Sequence, residues 1–302
     1  MLAIIAPGQG SQTSGMLNSW IQDASLKALL VSWSDAIGLD LLHLGTVADA
    51  EEIKDTANAQ PLIVAASLLG AHALGIKSFA VTSGHSVGEI AAATMSGAIT
   101  EIDALTLVRA RGLEMAQAAA SSPSGMSAIL GGDRTEVLAT ISALNLVAAN
   151  DNGAGQIVAA GDLQALSSLT ENPPTGSRVR ALAVAGAFHT HFMQPAVEPL
   201  RALASAIAIH QVGIEVISNK DGQVVTAGAE VLSRIVNQIA NPVRWDLCME
   251  TLKSLGVTGV IELPPAGTLV GLLKRAAPEI ETFALKSADD VEAAQEFAGR
   301  HL

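Results

Sequence analysis

At 302 residues, with 49% hydrophobic and 15% charged positions, the chain exceeds one typical domain and can bury a large core, which excludes a disordered protein. Its 17 Lys and Arg against 29 Asp and Glu give a formal net charge of −12, which argues against nucleic acid as a partner. The single cysteine, Cys248, excludes an internal disulfide, and no Cys/His cluster has zinc spacing, so the composition fits a reducing cytoplasm.

The apolar start Met1-Leu2-Ala3-Ile4-Ile5-Ala6 lacks a basic leader and is cut short by Pro7-Gly8, so residues 2–6 read as a strand rather than a signal peptide. No apolar run is expected to reach the roughly 20 residues that cross a bilayer. The turn Pro7-Gly8-Gln9-Gly10-Ser11-Gln12 lacks the Lys-Ser/Thr ending of a P-loop and the glycine spacing of a dinucleotide fingerprint. It is either a tight turn or the source of one backbone amide, that of Gln9, aimed at an oxyanion. Apolar spacing predicts helices over 21–37 and 58–74.

Gly84-His85-Ser86-Val87-Gly88 follows the apolar run Ser78–Ser83, which reads as a buried strand, and precedes small helix formers from Glu89 to Ser96. Strand, sharp turn and helix are the context of a nucleophile elbow, in which Ser86 is lifted into the open and the Val87 amide points at a developing oxyanion. Alternation at the elbow is expected to turn the His85 side chain away from the nucleophile. The next helix, 101–120, has Glu101 and Asp103 in its first turn, where the helix dipole favours acids. It carries Arg111, whose planar fork could grip a carboxylate, and Arg109, about 200° around the helix, as the competing candidate.

From Gly125 the composition changes. Short strands over Met126–Leu130, Leu146–Asn150, Gln156–Ala160 and Arg178–Val184 alternate with helices over 133–143 and 162–171. That order predicts a ferredoxin-like unit. Beyond it the chain reads as a helix near 192–208, a strand at Glu215–Ser218, helices near 228–239 and 245–255, and a strand at Gly259–Leu263. A serine nucleophile needs a base among the seven histidines. His189 and His191 both lie in the segment after the Arg178–Val184 strand, where a loop could present a ring to the site, and spacing alone does not choose between them.

Taken together, these segments resemble malonyl-CoA:acyl carrier protein transacylase, the acyltransferase family of fatty acid and polyketide synthesis, over nearly the whole chain. The resemblance rests on six motifs in order: Pro7-Gly8-Gln9-Gly10-Ser11-Gln12; Gly84-His85-Ser86-Val87-Gly88-Glu89; Arg111-Gly112 with Met115; Asn150-Asp151-Asn152 with Gly155-Gln156-Ile157-Val158; Ala187-Phe188-His189 with Met193; and Asn241-Pro242-Val243-Arg244-Trp245. It implies an α/β fold: an α/β-hydrolase-like large domain with a parallel sheet, over 1–124 and 189–302, and an inserted ferredoxin-like small subdomain over 125–188.

It further implies Ser86 as nucleophile, His189 as general base oriented by the backbone carbonyl of Gln238, Gln9 and Val87 amides at the oxyanion, and Arg111 as the malonate clamp. Phe188, Met115, Met193, Asn150, Asn152 and His85 are implied as substrate-binding, with Phe188 selecting malonyl over methylmalonyl. The implied partners are malonyl-CoA and an acyl carrier protein, with no bound cofactor, no metal and no membrane, in a cytoplasmic monomer. Lys274-Arg275 and Arg178/Arg180 are the basic candidates for docking an acidic carrier. A serine hydrolase or thioesterase, or a non-catalytic acyl-CoA-binding subunit, would share the elbow.

Overall fold

The computed structural model describes residues 1–302. In chain order, strand β1 (Leu2–Ala6) leads to helices α1 (Ala24–Ile37), α2 (Leu41–Thr46) and α3 (Thr56–Leu74), then β2 (Val81–Gly84), α4 (Gly88–Met95) and α5 (Glu101–Ala120). The predicted helix 21–37 divides because the Asp23 carboxylate caps the amides of Ser25 and Leu26, ending a short 3-10 turn and starting α1. The predicted strand at 78–83 is shorter and later, because pairing with β1 begins only at Val81, opposite Ala3.

The middle of the chain gives β3 (Ser124–Gly131), α6 (Arg134–Ala143), β4 (Val147–Asp151), β5 (Gln156–Asp162), α7 (Leu163–Glu171) and β6 (Ser177–Ala181). The last part supplies α8 (Val197–Ala204), β7 (Glu215–Ile217), β8 (Val224–Val225), α9 (Gly228–Gln238) and β9 (Val243–Arg244). It ends with α10 (Trp245–Ser254), β10 (Gly259–Glu262), α11 (Thr268–Ala276), β11 (Glu281–Ala284) and α12 (Val291–Gly299). The single helix expected over 192–208 is a 3-10 turn at His191–Ala196, which holds Pro195, followed by α8.

Six strands form one sheet in the order β11-β10-β1-β2-β7-β8, parallel throughout except for the β7–β8 hairpin. Both faces are covered, as a parallel sheet requires. One face joins α3, α5 and α8 in a core of 58 buried residues, and the other packs α10 and α11 in a second core of 16. Helix α3 corrects the expectation that no apolar run is long enough to cross a bilayer: its 19 residues pass that test by length and composition. The reason lies in packing, since α3 is enclosed on nearly all sides by the large core, from Ala59 to Leu69, and its apolarity serves that enclosure.

The second sheet has the order β6-β3-β5-β4-β9. Its first four strands are antiparallel, the ferredoxin-like arrangement, and β9 joins in parallel from far beyond residue 188, so this sheet is not confined to the inserted segment. Alternation along the strands splits its two faces. Ile129, Ile157 and Ala159 pack under α6 and α7 in a separate core of eight residues, while Met126, Ala128, Val158 and Ala160 join the large core. The second face closes over the carboxyl ends of β1 and β2, where open α/β sheets present their sites.

Candidate active site

The elbow is forced by its glycines. A Cβ on Gly84 would lie 2.0 Å from the Gly88 carbonyl carbon, and one on Gly88 would lie 2.3 Å from the Ala6 oxygen, so no larger residue fits either side of the turn. Between them Ser86 adopts φ +53°, a left-handed conformation that costs a non-glycine residue on the order of 1–3 kcal/mol. The Asn219 side chain holds the turn: its Oδ1 accepts the Ser86 amide at 2.8 Å and its Nδ2 donates to the Gly84 carbonyl at 2.8 Å. His189 is also left-handed, at φ +62°, with its amide donated to the Ile239 carbonyl.

These two backbones bring the side chains together. Ser86 Oγ lies 2.7 Å from His189 Nε2, and His189 Nδ1 lies 2.9 Å from the Gln238 carbonyl. A carbonyl can only accept, so the proton sits on Nδ1 and leaves Nε2 bare to accept from the serine. Burial above all, and then the Arg111 charge, depress the His189 pKa to about 3, only partly opposed by the Gln238 carbonyl. The ring is therefore neutral at physiological pH, the form a base requires. His191, the other candidate base, is exposed and stacks on Phe192 instead.

Arg111 is 1% exposed and stands directly behind the serine. Its Nη1 donates to Gln60 Oε1 at 2.7 Å, and its Nη2 donates to Gln238 Oε1 at 3.0 Å and to Ser86 Oγ at 3.4 Å. Its Nε has no partner, a buried donor with spare capacity for an acceptor oxygen. Burial lowers its pKa to about 10, so it remains charged at neutral pH. Arg109, on the other face of α5, is spent on the Ala57 carbonyl at 2.9 Å.

In front of the serine lies a cavity of about 270 Å³ between the two sheets. The turn Gly8–Ser11 and the elbow form one wall; Met126, Asn150, Asn152 and Val158 of the small sheet form another, with Met115 and Phe188 between them. Neither the Gln9 amide nor the Val87 amide is engaged by any acceptor of the chain. His85 departs from the alternation argument: its ring lines the cavity beside Ser86, held by Asn152 Oδ1 at 2.8 Å and set edge-on against Trp245, because the elbow breaks the strand's period of two. Met193 is fully buried in the large core and does not line the cavity.

Three buried polar residues escaped the sequence reading. Gln60 interrupts the apolar face of α3, Asn219 follows the apolar end of β7, and Glu89 is an acid in the first turn of the otherwise apolar α4; each is a polar residue out of place in a buried run. No group of three or more His, Cys, Asp or Glu is placed to hold a metal ion. Arg178 and Arg180 of edge strand β6 and Lys274 and Arg275 of α11 are all exposed.

A parallel α/β sheet carrying a strained serine bonded to a histidine, with a second sheet folded over its carboxyl end, defines the serine–histidine class of α/β acyl-transfer proteins. The family described as acyl transferase domain matches residues 4–298, and the chain belongs to that family. It is 51% identical over 297 residues to a malonyl CoA-acyl carrier protein transacylase of Mycobacterium tuberculosis, covering 97% of this chain and 98% of that one. The crystal structure of MCAT from Mycobacterium tuberculosis superposes with a TM-score of 0.95 at 50% identity, over 98% of this chain and 99% of that one. A malonyl-transacylase solved in complex with its type II PKS acyl-carrier protein superposes with a TM-score of 0.91 at 28% identity, over 98% of this chain and 99% of that one.

Proposed function

We propose that this chain transfers a malonyl group from coenzyme A to the phosphopantetheine thiol of an acyl carrier protein, by way of an ester on Ser86. The observation that carries the reading is a fully buried, charged Arg111 with Nη2 3.4 Å from the nucleophile oxygen. An enzyme for neutral acyl groups has no use for a buried cation there whose Nε is unpartnered and whose only nearby acid, Glu89, reaches it through the Gln238 side chain, and burying such a cation is costly. A three-carbon acyl group ending in a carboxylate supplies a direct ion-pair partner for it. The likeness to named malonyl transacylases supports the same substrate.

In the proposed reaction His189 Nε2 takes the proton of Ser86 Oγ as the oxygen attacks the thioester carbon. The Gln9 and Val87 amides receive the oxyanion, and each such donor is commonly worth about 3–4 kcal/mol of barrier. The C–S bond breaks, coenzyme A leaves with the proton from His189, and the carrier thiol then attacks the malonyl-serine by the reverse sequence. His85, Asn150, Asn152, Met115 and Phe188 shape the acyl and pantetheine channel, and the Phe188 ring excludes an α-methyl branch. Met193 acts from behind, through packing.

Coenzyme A is a substrate carrier in this scheme and no resident cofactor or metal takes part. The partner is an acidic carrier that meets Arg178, Arg180, Lys274 and Arg275, supported by the carrier complex of a similar enzyme. We assign the working unit as a cytoplasmic monomer with no membrane attachment, divided into 1–124 with 189–302 and 125–188, with β9 lent by the larger part to the smaller sheet. Mass spectrometry of the protein after malonyl-CoA should find a malonyl adduct on Ser86, and added carrier should discharge it to malonyl-carrier. Free malonate as the product would mark a hydrolase, and no adduct would mark a binding subunit.

A further inference from the structure

Glu89 takes no part in those steps, yet it is a buried carboxylate three residues from Ser86, in the first turn of α4. Its Oε1 accepts the Asn219 amide at 2.6 Å, and its Oε2 accepts Gln238 Nε2 at 2.5 Å. The same Nε2 faces Asn219 Oδ1 at 3.0 Å and the Ser86 carbonyl at 3.3 Å. Every group around this nitrogen is an acceptor, which fixes the amide with its NH2 toward Glu89 and its Oε1 toward Arg111 Nη2. The reversed amide would set donor against donor at the guanidinium. Of the acceptors that hold the amide, only Glu89 carries negative charge, and charge-assisted hydrogen bonds are roughly twice as strong as neutral ones.

We propose that Glu89 is a positioning residue for the carboxylate clamp, acting through the Gln238 side chain to hold Arg111 where it meets an acyl group that ends in a carboxylate. The inference rests on the transacylase reading above. The groups facing Glu89 are Arg111 from α5, Arg234 and Gln238 from α9, Ser218 and Asn219 from the loop after β7, and the Cys248 thiol from α10. Burial raises the Glu89 pKa to about 7, with the Asn219 amide and the two arginines opposing it. The carboxylate thus gains or loses charge in a range where His189 stays neutral and Arg111 stays charged.

Glu89→Gln keeps the shape but replaces one acceptor oxygen with an NH2, so either the Asn219 amide or the Gln238 NH2 meets another donor. With an acyl carrier protein as acceptor, malonyl-CoA kcat/KM should fall roughly tenfold or more, chiefly through KM, while acetyl-CoA should lose no more than about threefold. Equal losses for the two acyl groups, or no loss, overturn the proposal. If the variant does not fold, the wild-type protein decides the question by its malonyl-to-acetyl ratio. That ratio should fall as pH drops from about 8 to about 6, and a constant ratio overturns the proposal. The underlying reading fails separately, if wild-type protein makes no malonyl-carrier at all.

Discussion

The two sheets border one cavity but are held together by different physics. At the carboxyl end of the parallel sheet, left-handed Ser86, buried Arg111, buried Glu89 and a depressed His189 are concentrated within a few hydrogen bonds of one another. Each opposes folding, and the surrounding 58-residue core holds them in place. The small sheet carries less of such a load on its cavity face: Met126 and Val158 sit on regular strands, Asn150 follows a register shift in β4, Asn152 lies just past the end of β4, and its one buried acid, Asp151, is paired with Arg134 at 2.7 Å. In the proposed reaction the contrast puts reactivity in the larger layer and shape in the smaller. Substitutions below the parallel sheet should therefore change rates and acyl preference, while those in the small sheet should change affinity alone.

The sharpest way to break that division is Ser86→Ala. Transfer should fall by at least about 10⁴-fold with loss of any covalent adduct, measured by steady-state assay and intact mass. Retained turnover would remove the parallel sheet's claim to the chemistry. Next in size is Arg111→Ala. Charged hydrogen bonds contribute about 1.5–3 kcal/mol each, so malonyl transfer should fall about a hundredfold or more while acetyl transfer suffers less. The malonyl-to-acetyl ratio of kcat/KM checks it, and an unchanged ratio would detach the arginine from substrate recognition.

What could be read beforehand follows the same line. The βα elbow, α5 with Arg111 and the βαββαβ order of the insertion all rest on local signals: glycine spacing, helical periodicity and strand alternation. Helices α2, α11 and α12 and strands β8, β9 and β11 were missed, since their cues are long-range or weak. The amino end of α11, for example, is capped by Glu262, which accepts the amides of Gly267, Leu269 and Val270 from the end of β10. Glu262 precedes those amides by only five to eight residues, but it sits at the end of a buried strand and not at the N-cap position, so it does not match the pattern that marks a helix start. In the same way Gln238 was legible for its carbonyl only through a resemblance, and its side-chain bridge between Glu89 and Arg111 was not legible at all, because those residues lie 149 and 127 positions away.

Stability against pH gives a smaller and independent measure of the load on the parallel sheet. The folded pKa of Glu89, about 7, lies above the ordinary 4.5, so folding favours its protonated form. The corresponding stability is fully present below about pH 4.5 and is lost as pH rises through about 7, an effect on the order of 3–4 kcal/mol at most. Thermal unfolding of wild type between those limits should decline with pH relative to Glu89→Gln, whose curve lacks this term. Parallel curves would mean that the carboxylate is already fully compensated by Arg111 and Arg234.

The smallest expected change comes from Asn152→Ala in the small sheet. It removes the acceptor that holds the His85 ring at 2.8 Å and opens part of the cavity wall, but it touches neither Ser86, His189 nor Arg111. A neutral hydrogen bond is worth about 0.5–1.5 kcal/mol, so KM for malonyl-CoA should rise roughly two- to tenfold with kcat nearly unchanged. The acyl ratio should stay where it was, since the clamp is intact. A fall in kcat comparable to the rise in KM would show that the His85 ring reaches the reacting atoms, and the separation of reactivity from shape would then fail at the residue where the two sheets touch.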